Sequence, residues 1–446
     1  MASNTSQSGS DPVRVLYIAA HGGFAGQPVA LGGGAAVCNL LLAEWARARP
    51  FPCELIGPSI LGAGAPSGQD LIAYGESSYA QFCVDFRRAA TAEALRHDPA
   101  RTVILCNDVS EGPDFARLAA AGFRMVTIYH VDVVAYVAAI YGRDWIRPET
   151  AIRLYSAAKR WLPGPLRGMA SLVFDQQEQS LRHSRAAVVP SGAMRDVMLR
   201  CYPWLGAERI HVLPWGVAEE NWTEAEVKAE TALLRREFGV PAEAHVLLTL
   251  SRISPEKGQD LLLDALRDWE RRPDCPSRPL WLFLCGDAAY MQGQRFLQRL
   301  RSLAGGLRRT RVVFPGYVTG LRKRAFFSLA DVYVFPSRHE SYGLTLLEAL
   351  RNGLPAVCLE HHGAQSVMRD EFGYVVKASG LRAAIARILS DDAERARMSR
   401  AAAAYASEKS FARSAAQLAA LLHNFGDRLR NPQTPPGSVS GLSLFR

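Results

Sequence analysis

The chain has 446 residues, of which 48% are hydrophobic and 21% charged, with a formal net charge of +9. That length exceeds one ordinary core and predicts two domains, and the balance excludes a disordered or fibrous chain. The positive charge suits anionic small molecules or an anionic membrane surface, and its dispersion argues against nucleic acid.

In chain order, the first ten residues are polar and lack an apolar signal core. Residues 1–10 and 431–446 read as disordered tails. Short apolar runs then recur with helical patterns between them. In the first half they are 13–20, 53–57, 102–106, 125–129, 186–190 and 210–214. In the second they are 245–250, 280–285, 311–314, 332–335, 355–359 and 374–377. Runs that do not alternate signal strands covered on both faces, hence parallel sheets with crossover helices. Two such sets predict an α/β chain of two doubly wound, Rossmann-like domains. The helix from Gly258 is expected to bury Leu261, Leu262, Ala265, Leu266 and Trp269, with Gln259, Asp260, Asp264 and Arg267 toward water. A polar, Glu-rich stretch between Trp215 and Val240 marks the domain boundary. The expected units are 11–222, 223–408 and a helix over 409–428 that returns toward the N-terminal domain. A cleft between the facing sheets is the expected ligand site, since ligands bind outside the carboxyl ends of parallel strands. No apolar run reaches membrane-spanning length, because Met125 to Tyr141 is broken by His130 and Asp132. Eight scattered cysteines without a C-x-x-C pair predict reduced thiols and a cytoplasmic protein.

The residues with the clearest chemistry are Glu340 and Glu348. No other charge occurs from Ser341 to Leu350, which leaves Glu348 on an otherwise apolar helix. Burying a carboxylate is costly unless something bonds to it, and a polyhydroxylated ligand would satisfy both. Upstream, Ser251-Arg252-Ile253-Ser254-Pro255-Glu256-Lys257-Gly258 follows a strand and opens a helix. An Arg fork, a Lys point charge and free helix-start amides could neutralise a diphosphate, although both cations would also serve as solvated loop residues. Tyr342-Gly343-Leu344-Thr345 is a second strand-to-helix turn able to cradle phosphate. Gly32-Gly33-Gly34 opens a helix running to about Arg47, but its spacing is not the dinucleotide fingerprint. His130 follows a strand at the carboxyl edge, and Asp132 could orient it. His361-His362 lacks a third ligand nearby, and no D-x-D occurs, so no metal site is expected. Residues 151–170 carry Arg153, Lys159, Arg160 and Arg167 without an acid, among Leu154, Tyr155 and Trp161. Such a helix could lie on an anionic lipid interface or pack on its own domain.

Taken together, Arg252…Lys257-Gly258, Gly286-Asp287, Gly316-Tyr317-Val318, Ala330-Asp331, Pro336-Ser337 and Glu340…Glu348 resemble the retaining family 4 glycosyltransferases with the GT-B fold. The resemblance is strongest from Leu248 to Val376 and looser earlier, through Gly33, Gly34, His130 and Ser191. It departs at Trp215, Ala288 and His362-Gly363-Ala364-Gln365. The resemblance implies that Arg252 and Lys257 hold the donor diphosphate, aided by the amides of Gly343 and Leu344 and by Thr345. It implies that Glu340 contacts the donor sugar, Glu348 the ribose, and Gly316, Tyr317 and Val318 the base. It places Gly33 and Gly34 against the diphosphate and His130 beside sugar and acceptor. The activity so implied is metal- and cofactor-independent transfer, with retention, from a nucleoside-diphosphate sugar to a lipid-linked or glycan hydroxyl. That expectation extends to a cytoplasmic protein touching the inner face of a membrane. A non-catalytic nucleotide-sugar or lipid scaffold and a sugar-nucleotide epimerase are the alternatives.

Overall fold

The structure, a computed structural model, describes residues 14–24, 31–134, 147–161, 171–289 and 292–430. The two expected tails and the 162–170 part of the basic segment lie outside the described residues.

Among the described residues, twelve strands form two parallel sheets. The first contains β1 (Arg14–Ile18), β2 (Cys53–Ile56), β3 (Thr102–Cys106), β4 (Arg124–Ile128), β5 (Ala186–Val189) and β6 (Ile210–Val212), ordered β2-β1-β3-β4-β5-β6. The second contains β7 (His245–Leu250), β8 (Leu280–Cys285), β9 (Thr310–Gly316), β10 (Val332–Phe335), β11 (Ala356–Leu359) and β12 (Gly373–Val376), ordered β12-β11-β10-β7-β8-β9. Every expected strand is present, because runs such as Thr102–Cys106 and Leu280–Cys285 are buried at each position and need a helix on both faces. In each sheet the order reverses once, between β1 and β3 and between β7 and β10. Loops leaving these four strands therefore open a crevice at the sheet's carboxyl edge.

The Gln259–Trp269 helix buries Leu262, Leu263, Leu266 and Trp269. The expectation that Gln259 and Asp260 face water is wrong, since both are buried. The first helical turn packs under the loop leaving β10, where Arg338 grips Asp260 with two bonds of 2.9 and 3.0 Å. Gln259 Nε2 donates to the Arg252 carbonyl at 2.8 Å and to Ser251 Oγ at 3.0 Å. Sequence periodicity carries no sign of these distant partners.

Between the sheets the chain crosses twice, side by side. Val217 N donates to the Lys409 carbonyl at 2.7 Å, and Phe411 N donates to the Val217 carbonyl at 2.9 Å. Gly216 lies so close to this crossing that a Cβ would fall 2.2 Å from the Ser410 carbonyl carbon. The Phe411–Arg430 helix then packs on the Gly33–Ala48 helix of the first domain, where Trp45 Nε1 donates to the Ala415 carbonyl at 3.1 Å. One apolar cluster runs through both domains and includes Trp45, Trp215, Tyr342 and Phe411. Among the described residues, no helix is long and apolar enough to cross a membrane.

Candidate active site

The crevice between the sheets is a cavity of about 910 Å³ with walls from both domains. On the C-terminal side, Arg252 leaves β7 and reaches across to the first domain. Its guanidinium carbon lies 3.6 Å from where a Cβ on Gly32 would fall, an ordinary contact, and the φ of 104° at Gly32 is what favours glycine there. Lys257 ends a short 3-10 turn, and Gly258 follows with φ of 63°. A side chain there would meet the Pro336 carbonyl at 2.0 Å, so the loops leaving β7 and β10 touch at this point. Arg338 fastens them further: its Nη1 donates to the Pro255 carbonyl at 2.6 Å, and its backbone N to Glu256 at 2.8 Å.

This contact delivers Lys257 to Glu340, with Nζ 2.5 Å from Oε1. Ser337 Oγ donates to the same carboxylate oxygen at 3.2 Å. Burial pushes the Glu340 carboxyl up, but the Lys257 ammonium outweighs it and holds the group below its usual 4.5. Glu348 lies on the Leu344–Arg351 helix and receives Lys323 Nζ at 2.9 Å. Lys323 is also 3.9 Å from Glu220, which comes from the segment between the domains. Burial disfavours the Lys323 ammonium, yet Glu348 and Glu220 together raise its pKa above the usual 10.5. Both carboxylates are therefore satisfied by lysines of this chain. A sugar or ribose entering the cleft would exchange with these ammonium groups. Sequence reading missed Lys323, because nothing in Arg322-Lys323-Arg324 singles one cation out.

Gly343 has φ of 101°, which lets the chain turn into the Leu344 helix, whose first residues line the cavity. Thr345 Oγ1 is held by the Tyr333 hydroxyl at 2.9 Å. Tyr317 and Val318 also line the cavity, with Lys323 beside them. Gly316 is not among the lining residues. Its φ of 81° instead shapes the turn, and its carbonyl accepts from Gly286 N at 2.8 Å.

From the first domain come Gly33, Gly34 and His130. Gly34 packs against the imidazole, where a Cβ would lie 3.1 Å from Cδ2. The His130 ring stacks on Trp215, with centroids 6.2 Å apart. Asp132 does not orient it: Asp132 Oδ1 accepts from Gln177 Nε2 at 3.2 Å, while His130 Nε2 meets Asn107 Oδ1 at 3.0 Å. Burial drives His130 down to about 4, so the ring is neutral. Ser191 Oγ donates across the crevice to the Ser341 carbonyl at 3.2 Å. His361 caps a short helix, its Nδ1 accepting from Ala364 N at 3.0 Å. Among the described residues, Glu54, Glu93 and His97 cluster closely enough to share an ion, but none of them lines the cavity.

Of the thirteen expected site residues, the structure brings Gly33, Gly34, His130, Arg252, Lys257, Tyr317, Val318, Glu340, Gly343, Leu344, Thr345 and Glu348 to one cavity and leaves Gly316 behind it. Two parallel-sheet domains facing across such a crevice define a GT-B protein. The fold is shared with Anabaena Alr3699/HepE, in complex with UDP and glucose, at a TM-score of 0.61 and 18% identity over 92% of this chain and 100% of that one. It is likewise shared with WaaG, a glycosyltransferase involved in lipopolysaccharide biosynthesis, at a TM-score of 0.62 and 16% identity over 92% of this chain and 99% of that one.

Residues 230–405 match the family Glycosyl transferases group 1. Alpha-D-kanosaminyltransferase of Streptomyces kanamyceticus is 28% identical over 255 residues, 56% of this chain and 63% of that protein. D-inositol 3-phosphate glycosyltransferase of Corynebacterium urealyticum is 32% identical over 220 residues, 48% of this chain and 50% of that protein. The chain thus spans only about half to two thirds of the length of these curated relatives.

Proposed function

We propose that the chain is a retaining glycosyltransferase that moves a sugar from a nucleoside diphosphate to an acceptor hydroxyl without a metal or cofactor. The observation that carries this reading is the convergence of Arg252, Lys257 and the Leu344 helix start with Glu340, Glu348 and His130 around one cavity. As the glycosidic bond breaks, negative charge develops on the departing diphosphate. Arg252, Lys257 and the backbone amides beside Gly343 act where that charge appears. Glu340 holds sugar hydroxyls rather than attacking, since Lys257 and Ser337 already occupy one of its oxygens. The leaving phosphate oxygen would take the acceptor's proton on the same face, which keeps the anomeric configuration. Lys323 and Glu348 face the ribose and Tyr317 the base. Walls from both domains limit water and hence hydrolysis.

The nucleotide named in the HepE structure supports a diphosphate donor. The exposed Leu154 and Trp161 on residues 148–161, with Arg153 beside them, favour an acceptor met at an anionic membrane surface on the cytoplasmic side. Turnover is tested with UDP-, GDP- and ADP-sugars and an acceptor extract. We expect transfer or slow donor hydrolysis in the wild type and at least a roughly 100-fold loss in Lys257→Ala and Glu340→Ala. Donor binding without turnover under every acceptor condition would replace this reading by a sugar-nucleotide scaffold. An isomerised donor with no acceptor consumed would mark an epimerase.

A further inference from the structure

Asn107 directly follows β3, where the strand order of the first sheet reverses, and its side chain is fully buried. Its amide oxygen accepts the Tyr17 hydroxyl at 2.6 Å. Burial raises the Tyr17 phenol well above its usual range, so the phenol stays protonated and donates. The Asn107 amide nitrogen lies 3.4 Å from the Gly34 carbonyl and 3.4 Å from Asp108 Oδ1, both acceptors. A flipped amide would set its oxygen against those two oxygens, which leaves one orientation. The same amide oxygen is 3.0 Å from His130 Nε2. An amide oxygen has no hydrogen to give, so the hydrogen between them belongs to Nε2. In a neutral ring Nδ1 is then a bare acceptor. Cδ2 is the ring atom nearest Gly34, with Cγ and Nε2 on either side of it, so the Nδ1–Cε1 bond across the ring lies on the far side from that helix in a ring that lines the cavity.

We propose that Asn107 is a positioning residue, which holds His130 in its Nε2–H tautomer and presents Nδ1 to accept a hydroxyl hydrogen from the bound sugar or acceptor. The proposal rests on the transferase reading of the cleft. An imidazolium would turn Nδ1 into a donor and lose that bond, so the ring must also stay neutral. Burial is the main force keeping it so. Among its charged neighbours, Asp108 after β3 favours the imidazolium and His21 after β1 opposes it. Trp215 covers one face without charge.

Asn107→Asp and Asn107→Leu separate these roles. The aspartate still accepts from Nε2 but stabilises the imidazolium. Its kcat should therefore acquire an acid limb between about pH 5 and 7, absent from the wild type, and recover to within a few-fold at about pH 8.5. The leucine variant should lose about 10-fold or more at every pH with donor Kd unchanged. Should it fail to fold, the near-isosteric aspartate still decides the question. Histidine-labelled 15N NMR supplies a readout that needs no turnover, with His130 assigned by its loss in His130→Gln. We expect protonated Nε2 and bare Nδ1 in the wild type, and a mixture of tautomers in the leucine variant. A wild-type pH profile for Asn107→Asp, full turnover in Asn107→Leu, or an Nδ1–H tautomer in the wild type would overturn the proposal. If no donor is turned over at all, the transferase reading falls, and the NMR result still decides whether Asn107 fixes the ring.

Discussion

Lys257 and Glu340 show how two charged groups of a cleft satisfy each other within the chain. Their side chains are 12% and 18% exposed, and each neutralises the other. Removing only the cation leaves a carboxylate in a desolvated pocket, a change that typically costs about 3–5 kcal/mol. That cost depends on pH with a definite sign. In the wild type Glu340 is held below 4.5, so its contribution is present above the unfolded pKa and is lost as pH falls through the folded value. In Lys257→Met burial meets only the Ser337 hydrogen bond and the weaker pull of His361 and His339, and should raise the carboxyl. The stability gap between wild type and Lys257→Met should thus be largest near pH 7.5 and narrower at pH 4, below the unfolded carboxyl's usual 4.5, as the wild-type contribution is lost toward the folded value. Urea denaturation at the two pH values measures it. A gap that does not change with pH would mean that Glu340 is not the titrating partner.

At the scale of elements, the strands were legible because burial on both faces leaves an unbroken apolar run. Their order was not, since Leu247 against Val332 and Leu16 against Ile104 are pairings between distant segments with no local signal. The same gap explains the site. Glu340 and Lys257 stood out by motif, but Lys323 meets Glu348 only because the Gly320–Leu329 helix brings it to the Leu344–Arg351 helix, and Asn107 meets His130 only through adjacent strands. Gly286 read as part of a motif without a reason. Its reason is spatial, since a Cβ there would fall 1.9 Å from the Ser251 carbonyl oxygen. The helix Pro148–Ala158 was legible as amphipathic, and none of its side chains is buried. Ile152 and the Tyr155 ring, stacked 4.4 Å from Phe174, hold it to the domain, while Leu154 and Trp161 point outward, 59% and 76% exposed. If this face meets lipid, the full-length protein should float with anionic vesicles at low salt and release as salt rises. Leu154→Ser with Trp161→Ser should weaken flotation about 10-fold or more with no change in Tm. Equal flotation of wild type and double variant would remove the membrane from the proposal.

The whole molecule is joined by more than its two crossing strands. Trp215 sits between His130 on one side and Phe411 on the other, the second pair of centroids 5.9 Å apart, and its carbonyl accepts the Tyr342 hydroxyl at 2.8 Å. Trp215 thus touches the first domain's imidazole and the start of the returning helix through its indole, and the loop that carries Glu340 through its carbonyl. Phe411 is 1% exposed at the point where the chain re-enters the first domain. Phe411→Ala would leave a void behind the indole, a loss of about 3–5 kcal/mol that corresponds to a Tm drop on the order of 5–10 °C. Mere destabilisation would stop there once the assay runs well below Tm. If the indole aligns the two halves of the cleft, kcat at such a temperature should fall further, by about 10-fold, because a small misplacement of His130 against the donor is costly. Donor Kd should hold, since Arg252, Lys257 and Glu348 all lie in the other domain. Loss of donor affinity together with kcat would show instead that the C-terminal domain itself depends on the returning helix.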